Sequence, residues 1–263
     1  MPAVHDIEQA VFDWAPRSLA EDWDNVGLLC GRAEKEVSRV LVALDPFEDV
    51  CREAKERGAE LIVTHHPLIF TPLRAVTGRD AAGRCLLYLA RHDIAAINAH
   101  TNLDCALGGV NDVLARTIGL SDVRVIGTVK TDAQGRVCGL LRAGSAEETS
   151  LAAFAARVKA SLGCEGLRYA DAGKVVRRVA VGGGACGGEL AAVAEAGCDT
   201  FVTADIKYNQ FWDARELGVN LIDAGHFNTE NPVCGAMAAY LREKFPRLTV
   251  MLSEKHADPV KFL

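Results

Sequence analysis

The sequence has few of the features that mark a membrane protein, a nucleic-acid binder or a disulfide scaffold. No uncharged apolar run approaches the roughly 20 residues needed to cross a bilayer. The first residues, MPAVHDIEQAVFDW, carry early acids and no basic-then-apolar leader pattern. Lys and Arg number 29 against 35 Asp and Glu, a net charge of −6, and no stretch gathers the cations. That balance excludes sequence-wide attraction to nucleic acid or an anionic membrane. Nine cysteines are scattered singly, with no CxxC pair. They read as small apolar residues of a reduced, cytoplasmic protein, and exclude a disulfide framework or a thiolate zinc knot. There is no GK[ST] of a Walker loop, and no spacing supports a Ser/His/Asp or Cys/His nucleophile.

What the chain does have is an internal duplication. Residues 37–67 align without gaps on 176–206, pairing Val40 with Val179, Gly58 with Gly197 and Thr64 with Thr203. Further on, HTNLD (His100 to Asp104) lies opposite HFNTE (His226 to Glu230), each a histidine followed four residues later by an acid. With 263 residues the chain can bury the cores of two ordinary domains. A repeat this long signals domain duplication and not a solenoid.

The elements alternate. RVLVALD (39–45), AELIVTHHP (59–67) and IAAINAH (94–100) are β-branched, apolar runs of buried parallel strands, separated by helices over 46–58 and 81–93. The second half repeats the pattern, with strands at 176–184, 198–205 and 219–226 between helices at 150–163, 187–197, 208–218 and 232–245. Helices are also expected at 5–14 and 108–120, and 121–136 reads as a short polar join. The fold class is therefore α/β, with two similar βαβ-type modules at 1–126 and 127–263 packed against each other.

Open α/β sheets place ligands at the carboxyl ends of their strands. His65, His66, His100 and His226 all fall there, four of seven histidines. Just past a strand end, adjacent histidines such as His65 and His66 can fan toward two different ions. Imidazole with carboxylate suits Zn, Fe, Mn, Co or Ni. Three or four histidines with two acids exceed what one catalytic zinc takes. They fit two ions about 3.5–4 Å apart, with Glu230 long enough to bridge them. VGGGACGG (181–188) is expected to be a tight turn or a place of close backbone packing, and not a dinucleotide loop. Asp205 and Lys207 of DIKY read equally as a surface ion pair or as a contact to a substrate anion, and Trp23 and Asp24 as shaping a packed loop.

LAEDWDNVGLLCG, VTHHPLIF, NAHTNLD with GGVND, TADIKY and GHFNTE, spread over nearly the whole chain, together resemble the Nif-three-like family of dinuclear-metal proteins. Its members carry the label GTP cyclohydrolase I type 2 homologue, which rests on homology alone. The resemblance implies two divalent ions per chain held by His65, His66, Asp104, His226 and Glu230 between the modules, with His100 lining the site. It also implies a ring-shaped homo-hexamer, a trimer of dimers whose interior gathers the sites. One departure is Asn209, where the family pattern leads us to expect His. The expected function is a metal-dependent hydrolase acting on a small phosphoester, nucleotide or amide-type substrate. In it Asp104 and Glu230 would hold the ions and His100 could shuttle a proton. The alternative is a non-enzymatic metal store, chaperone or regulatory scaffold.

Overall fold

The computed structural model describes residues 1–263. The chain forms two compact units, Met1–Leu103 with Cys234–Ala257, and Asp104–Val233 with Asp258–Leu263.

The first unit is built on a five-stranded sheet. Its strands are β1 (Gly27–Cys30), β2 (Arg39–Ala43), β3 (Leu61–Thr64), β4 (Ala95–Asn98) and β11 (Thr249–Leu252), in the spatial order β1-β4-β3-β2-β11. All neighbours are parallel except β1, which pairs antiparallel with β4. Helices α1 (Val4–Trp14), α2 (Glu48–Glu56), α3 (Ala81–Arg91) and most of α10 (Pro232–Lys244) belong to this unit. In α1, Val4, Ile7, Ala10 and Val11 are buried, the i, i+3, i+6, i+7 stripe of a helix with one apolar face. Every residue of β3 and β4 is buried, and each fully buried Val, Leu or Ile contributes about 1.5–3 kcal/mol. Two polar ties join the late segment to the early one. Tyr240 Oη donates to the Ala10 carbonyl at 2.7 Å. The buried Glu53 carboxylate accepts from Glu254 N at 2.9 Å, from Ser253 Oγ and from Arg57.

The second unit carries six strands. These are β5 (Ser121–Thr131), β6 (Val137–Thr149), β7 (Arg168–Ala170), β8 (Val176–Val181), β9 (Thr200–Thr203) and β10 (Asn220–Asp223), in the order β5-β6-β8-β9-β10-β7. Its helices are α4 (Thr101–Cys105, which begins in the first unit), α5 (Val110–Thr117), α6 (Leu151–Leu162), α7 (Leu190–Glu195), α8 (Tyr208–Glu216) and α9 (His226–Glu230). Ser150 caps α6, its hydroxyl accepting from Ala153 N, and Gly163 ends the helix at a φ of 68°.

The duplication is visible in the strand register. Val40, Leu41 and Val42 lie opposite Leu61, Ile62 and Val63, and their aligned equivalents Val179, Ala180 and Val181 lie opposite Thr200, Phe201 and Val202. Each sheet thus contains the same parallel strand pair in the same register.

The compact units are not the two halves of the sequence. A boundary between 126 and 127 falls inside β5, and residues 121–136 open a long hairpin instead of a short join. The outer strand of that hairpin exposes most of its side chains, so it has no apolar run to betray it. The C-terminal β11 returns to pair with β2, which moves 234–257 into the first unit.

Candidate metal centre

His65 and His66 follow β3 directly. His66 N donates to the Leu44 carbonyl at 2.9 Å and Thr64 Oγ1 to the His66 carbonyl at 2.7 Å, so the chain turns out of the strand in a fixed way. His100 stands just past β4. The three imidazoles cluster, with ring centroids 5.0 Å (His65–His66), 5.2 Å (His65–His100) and 5.7 Å (His66–His100) apart. One ring nitrogen from each lies within 4.8 Å of the others.

Each ring is held through Nδ1 by an oxygen acceptor. His65 Nδ1 lies 2.9 Å from the Ala99 carbonyl, His66 Nδ1 2.6 Å from Asp45 Oδ1 and His100 Nδ1 2.8 Å from Asp24 Oδ1. In the second unit His226 Nδ1 lies 2.8 Å from Asp205 Oδ2. A carbonyl or carboxylate accepts here, so each Nδ1 carries a proton, and in the neutral ring Nε2 is the nitrogen that holds the lone pair. Metal-binding histidines are oriented in this way.

The Asp24 carboxylate has no exposed side-chain surface. Burial alone would raise its pKa, but hydrogen bonds from His100 and Thr101 outweigh it and hold the group well below the usual carboxylate range.

His226 and Glu230 are the first and last residues of the five-residue helix α9. The i, i+4 spacing puts them on one face, with His226 Nε2 3.1 Å from Glu230 Oε2. Glu230 is buried. An imidazole lone pair facing a buried carboxylate at that distance calls for a cation or a proton between them, and the donor set fits a divalent ion of the imidazole–carboxylate class. Asp104, also buried, lies in α4. The thiol of Cys186 is pushed well above its ordinary range by burial and then by the charges of Asp104 and Glu230.

The glycine-rich segment has a steric purpose at this place. Gly184 has a φ of 65°, and a side chain there would collide with Glu230 Oε1. Its amide donates to Thr229 Oγ1 at 3.0 Å, and Gly183 N donates to Asn111 Oδ1 at 2.7 Å. Asn111 in turn donates to the carbonyls of Asp104 (3.2 Å) and Leu140 (2.7 Å). The turn is therefore a close backbone approach to Glu230, as its sequence suggests.

Three carboxylates, Asp24, Asp45 and Asp205, were not legible as partners of the site's histidines. Asp45 and Asp205 each precede their histidine by 21 residues, each just beyond a parallel strand whose neighbour carries the histidine. That shared interval is the one signal in the sequence that could have found them. Asp205 pairs with His226, which leaves the expected ion pair with Lys207 aside. Asp24 does shape its loop, whereas Trp23 is 61% exposed and not packed into it. Asn209 reaches only Asp213, at 3.5 Å on the surface.

An α/β protein with clustered imidazoles and a His–Glu pair at its strand ends belongs among candidate metal proteins. The family model described as Duf34/NIF3 (NGG1p interacting factor 3) matches residues 2–259, and the chain belongs to this family. A GTP cyclohydrolase 1 type 2 homolog of Clostridium perfringens is 35% identical, over 99% of each chain. One from Streptomyces coelicolor is 39% identical, over 98% of this chain and 94% of its own. Among solved structures, a Bacillus cereus protein related to NIF3 superposes with a TM-score of 0.92 at 27% identity, over 100% of this chain and 99% of its own. A Staphylococcus aureus protein superposes at 0.91 with 29% identity and the same coverage. No helix is long and apolar enough to cross a membrane.

Proposed function

We propose that His65, His66, Asp104, His226 and Glu230 together hold two divalent metal ions per chain. On this reading the protein is a metal-dependent hydrolase of a small phosphoester, nucleotide or amide-type substrate. The observation that supports it most is the common treatment of the three ligating imidazoles, His65, His66 and His226, each held through Nδ1 by an oxygen, which leaves Nε2 as the nitrogen available to a metal.

When bound, such a pair of ions supplies Lewis-acid polarisation and lowers the pKa of water. The chain's own residues supply the rest. Asp45 and Asp205 fix the orientation of His66 and His226. Glu230, buried beside the Gly184 turn, would hold metal through its carboxylate. His100, held by Asp24, is placed to take up and return a proton at Nε2.

The family and the sequence also support a homo-hexamer, a trimer of dimers, in the cytoplasm. All nine cysteines are free thiols, eight of them buried, which suits a reducing compartment. Light scattering is expected to report about six times the 28.1 kDa chain mass.

The test is a hydrolase screen with the protein loaded in turn with Zn, Mn, Fe and Co. Turnover that disappears in Glu230→Gln, with the fold intact, is the expected result. Tight metal binding with silence across phosphoesters, nucleotides and amides would favour a metal store or chaperone.

A further inference from the structure

Beside the imidazole cluster, and within the same unit, two large aromatic rings stand in solvent. Trp23 is 61% and Phe70 59% exposed. Their centroids are 5.8 Å apart with the rings tilted at 58°, and each lies just over 6 Å from His100 at a steep angle, 74° for Trp23 and 76° for Phe70. The two rings thus form an open V with His100 at its base. Exposing two such rings together forfeits the burial that usually places aromatics in a core.

The segments that carry the V are hydrogen-bonded to the segment that carries His100. Asp24, next to Trp23, accepts from His100 Nδ1 and from Thr101 N at 2.9 Å. Asn25 Nδ2 donates to the carbonyl of Ile69, the residue before Phe70, at 2.7 Å. The Asn25 carbonyl accepts from Asn98 Nδ2 at 3.1 Å, and Glu21 N donates to Thr101 Oγ1 at 2.9 Å. The backbone on which both rings stand is therefore tied to the same strand end as His100, and the rings touch each other and His100, which lowers the ordering cost of binding.

We propose that Trp23 and Phe70 are the ring-binding subsite of the substrate, and that the substrate carries a planar heteroaromatic ring of the nucleobase kind joined to the group that reacts at the imidazoles. Aromatic faces select a flat apolar surface, and the polar rim at His100 selects polar edges. A heterocycle has both. The net charge of −6 disfavours a nucleic-acid strand, so the occupant is a small molecule of the mononucleotide class. The inference rests on the imidazole cluster being the reacting centre.

The test is calorimetric titration of the full chain with adenosine monophosphate and with ribose 5-phosphate, metal-loaded and again after chelation. Base–aromatic stacking leads to an expected preference of about tenfold or more for the nucleotide. Trp23→Ala and Phe70→Ala, both at exposed positions, should erase that preference while leaving ribose 5-phosphate binding and thermal stability unchanged. Equal affinities in the wild type, or variants that keep the preference, would overturn the proposal. So would a Trp23→Ala protein whose assembly mass changes, because the rings would then be a contact between copies. A preference that survives in protein binding no metal would support the subsite while removing the hydrolase reading.

Discussion

His226 Nδ1 lies 2.8 Å from Asp205 Oδ2, and the two residues are 21 apart in the chain, as are His66 and Asp45 at 2.6 Å. In both pairs an acid beyond one strand end orients a histidine beyond the next parallel strand. The pairs are not equivalents under the duplication, which aligns His66 with Asp205. The same device occurs once in each sheet, at strands that are not equivalents.

Asp205 is half exposed, and its backbone is left-handed, at a φ of 55°. Asp205→Ala should therefore lower stability by about 1 kcal/mol, the strain of a non-Gly, non-Asx residue there, and weaken metal binding by about 10–100-fold, the usual effect of removing such an orienting group. Chelator competition reads this directly. Unchanged affinity would show that His226 needs no help from Asp205.

Much of this was readable in advance. The strands β2 to β4 and β8 to β10 are short runs of buried β-branched residues, and their histidines fall at the carboxyl ends because the sheet is parallel. Edge elements were not readable. Strand β7 has three residues, α4 and α9 have five each, and none is long enough to show a period. Arg142 gave no signal either. It is buried in β6, donates to Asp112 Oδ1 at 2.8 Å and to the Ala106 carbonyl at 3.0 Å, and so ties the segment after Asp104 to the hairpin. Such pairings depend on the fold and not on local spacing.

Gly184 is the residue at which sequence and site meet most tightly. Its left-handed backbone and the nearness of Glu230 Oε1 both exclude a side chain. Gly184→Ala should cost about 1–3 kcal/mol of stability and displace Glu230, so that metal affinity falls as well. Chemical denaturation with metal titration checks both effects. Wild-type stability and affinity together would refute the steric argument.

Acid should loosen the tie between α2 and the C-terminal segment. Burial raises the Glu53 pKa, but hydrogen bonds from Ser253, Glu254 N and Arg57 outweigh it and leave the group below its ordinary value. A depressed folded pKa means that this stabilisation is fully present above the ordinary glutamate value of about 4.3 and is lost as the pH falls through the folded one. Glu53→Gln should be less stable than wild type at neutral pH, with the difference shrinking below about pH 4. Denaturant midpoints measured across that window provide the comparison, and a difference independent of pH would contradict it.

The most direct measurement of the central claim is the metal content of the purified chain, by elemental analysis after exhaustive removal of loosely held ions. Two divalent ions per 28.1 kDa chain, falling in His66→Ala and in Glu230→Gln, is the expected result. Less than one ion per chain, or a full complement retained by both variants, would contradict it.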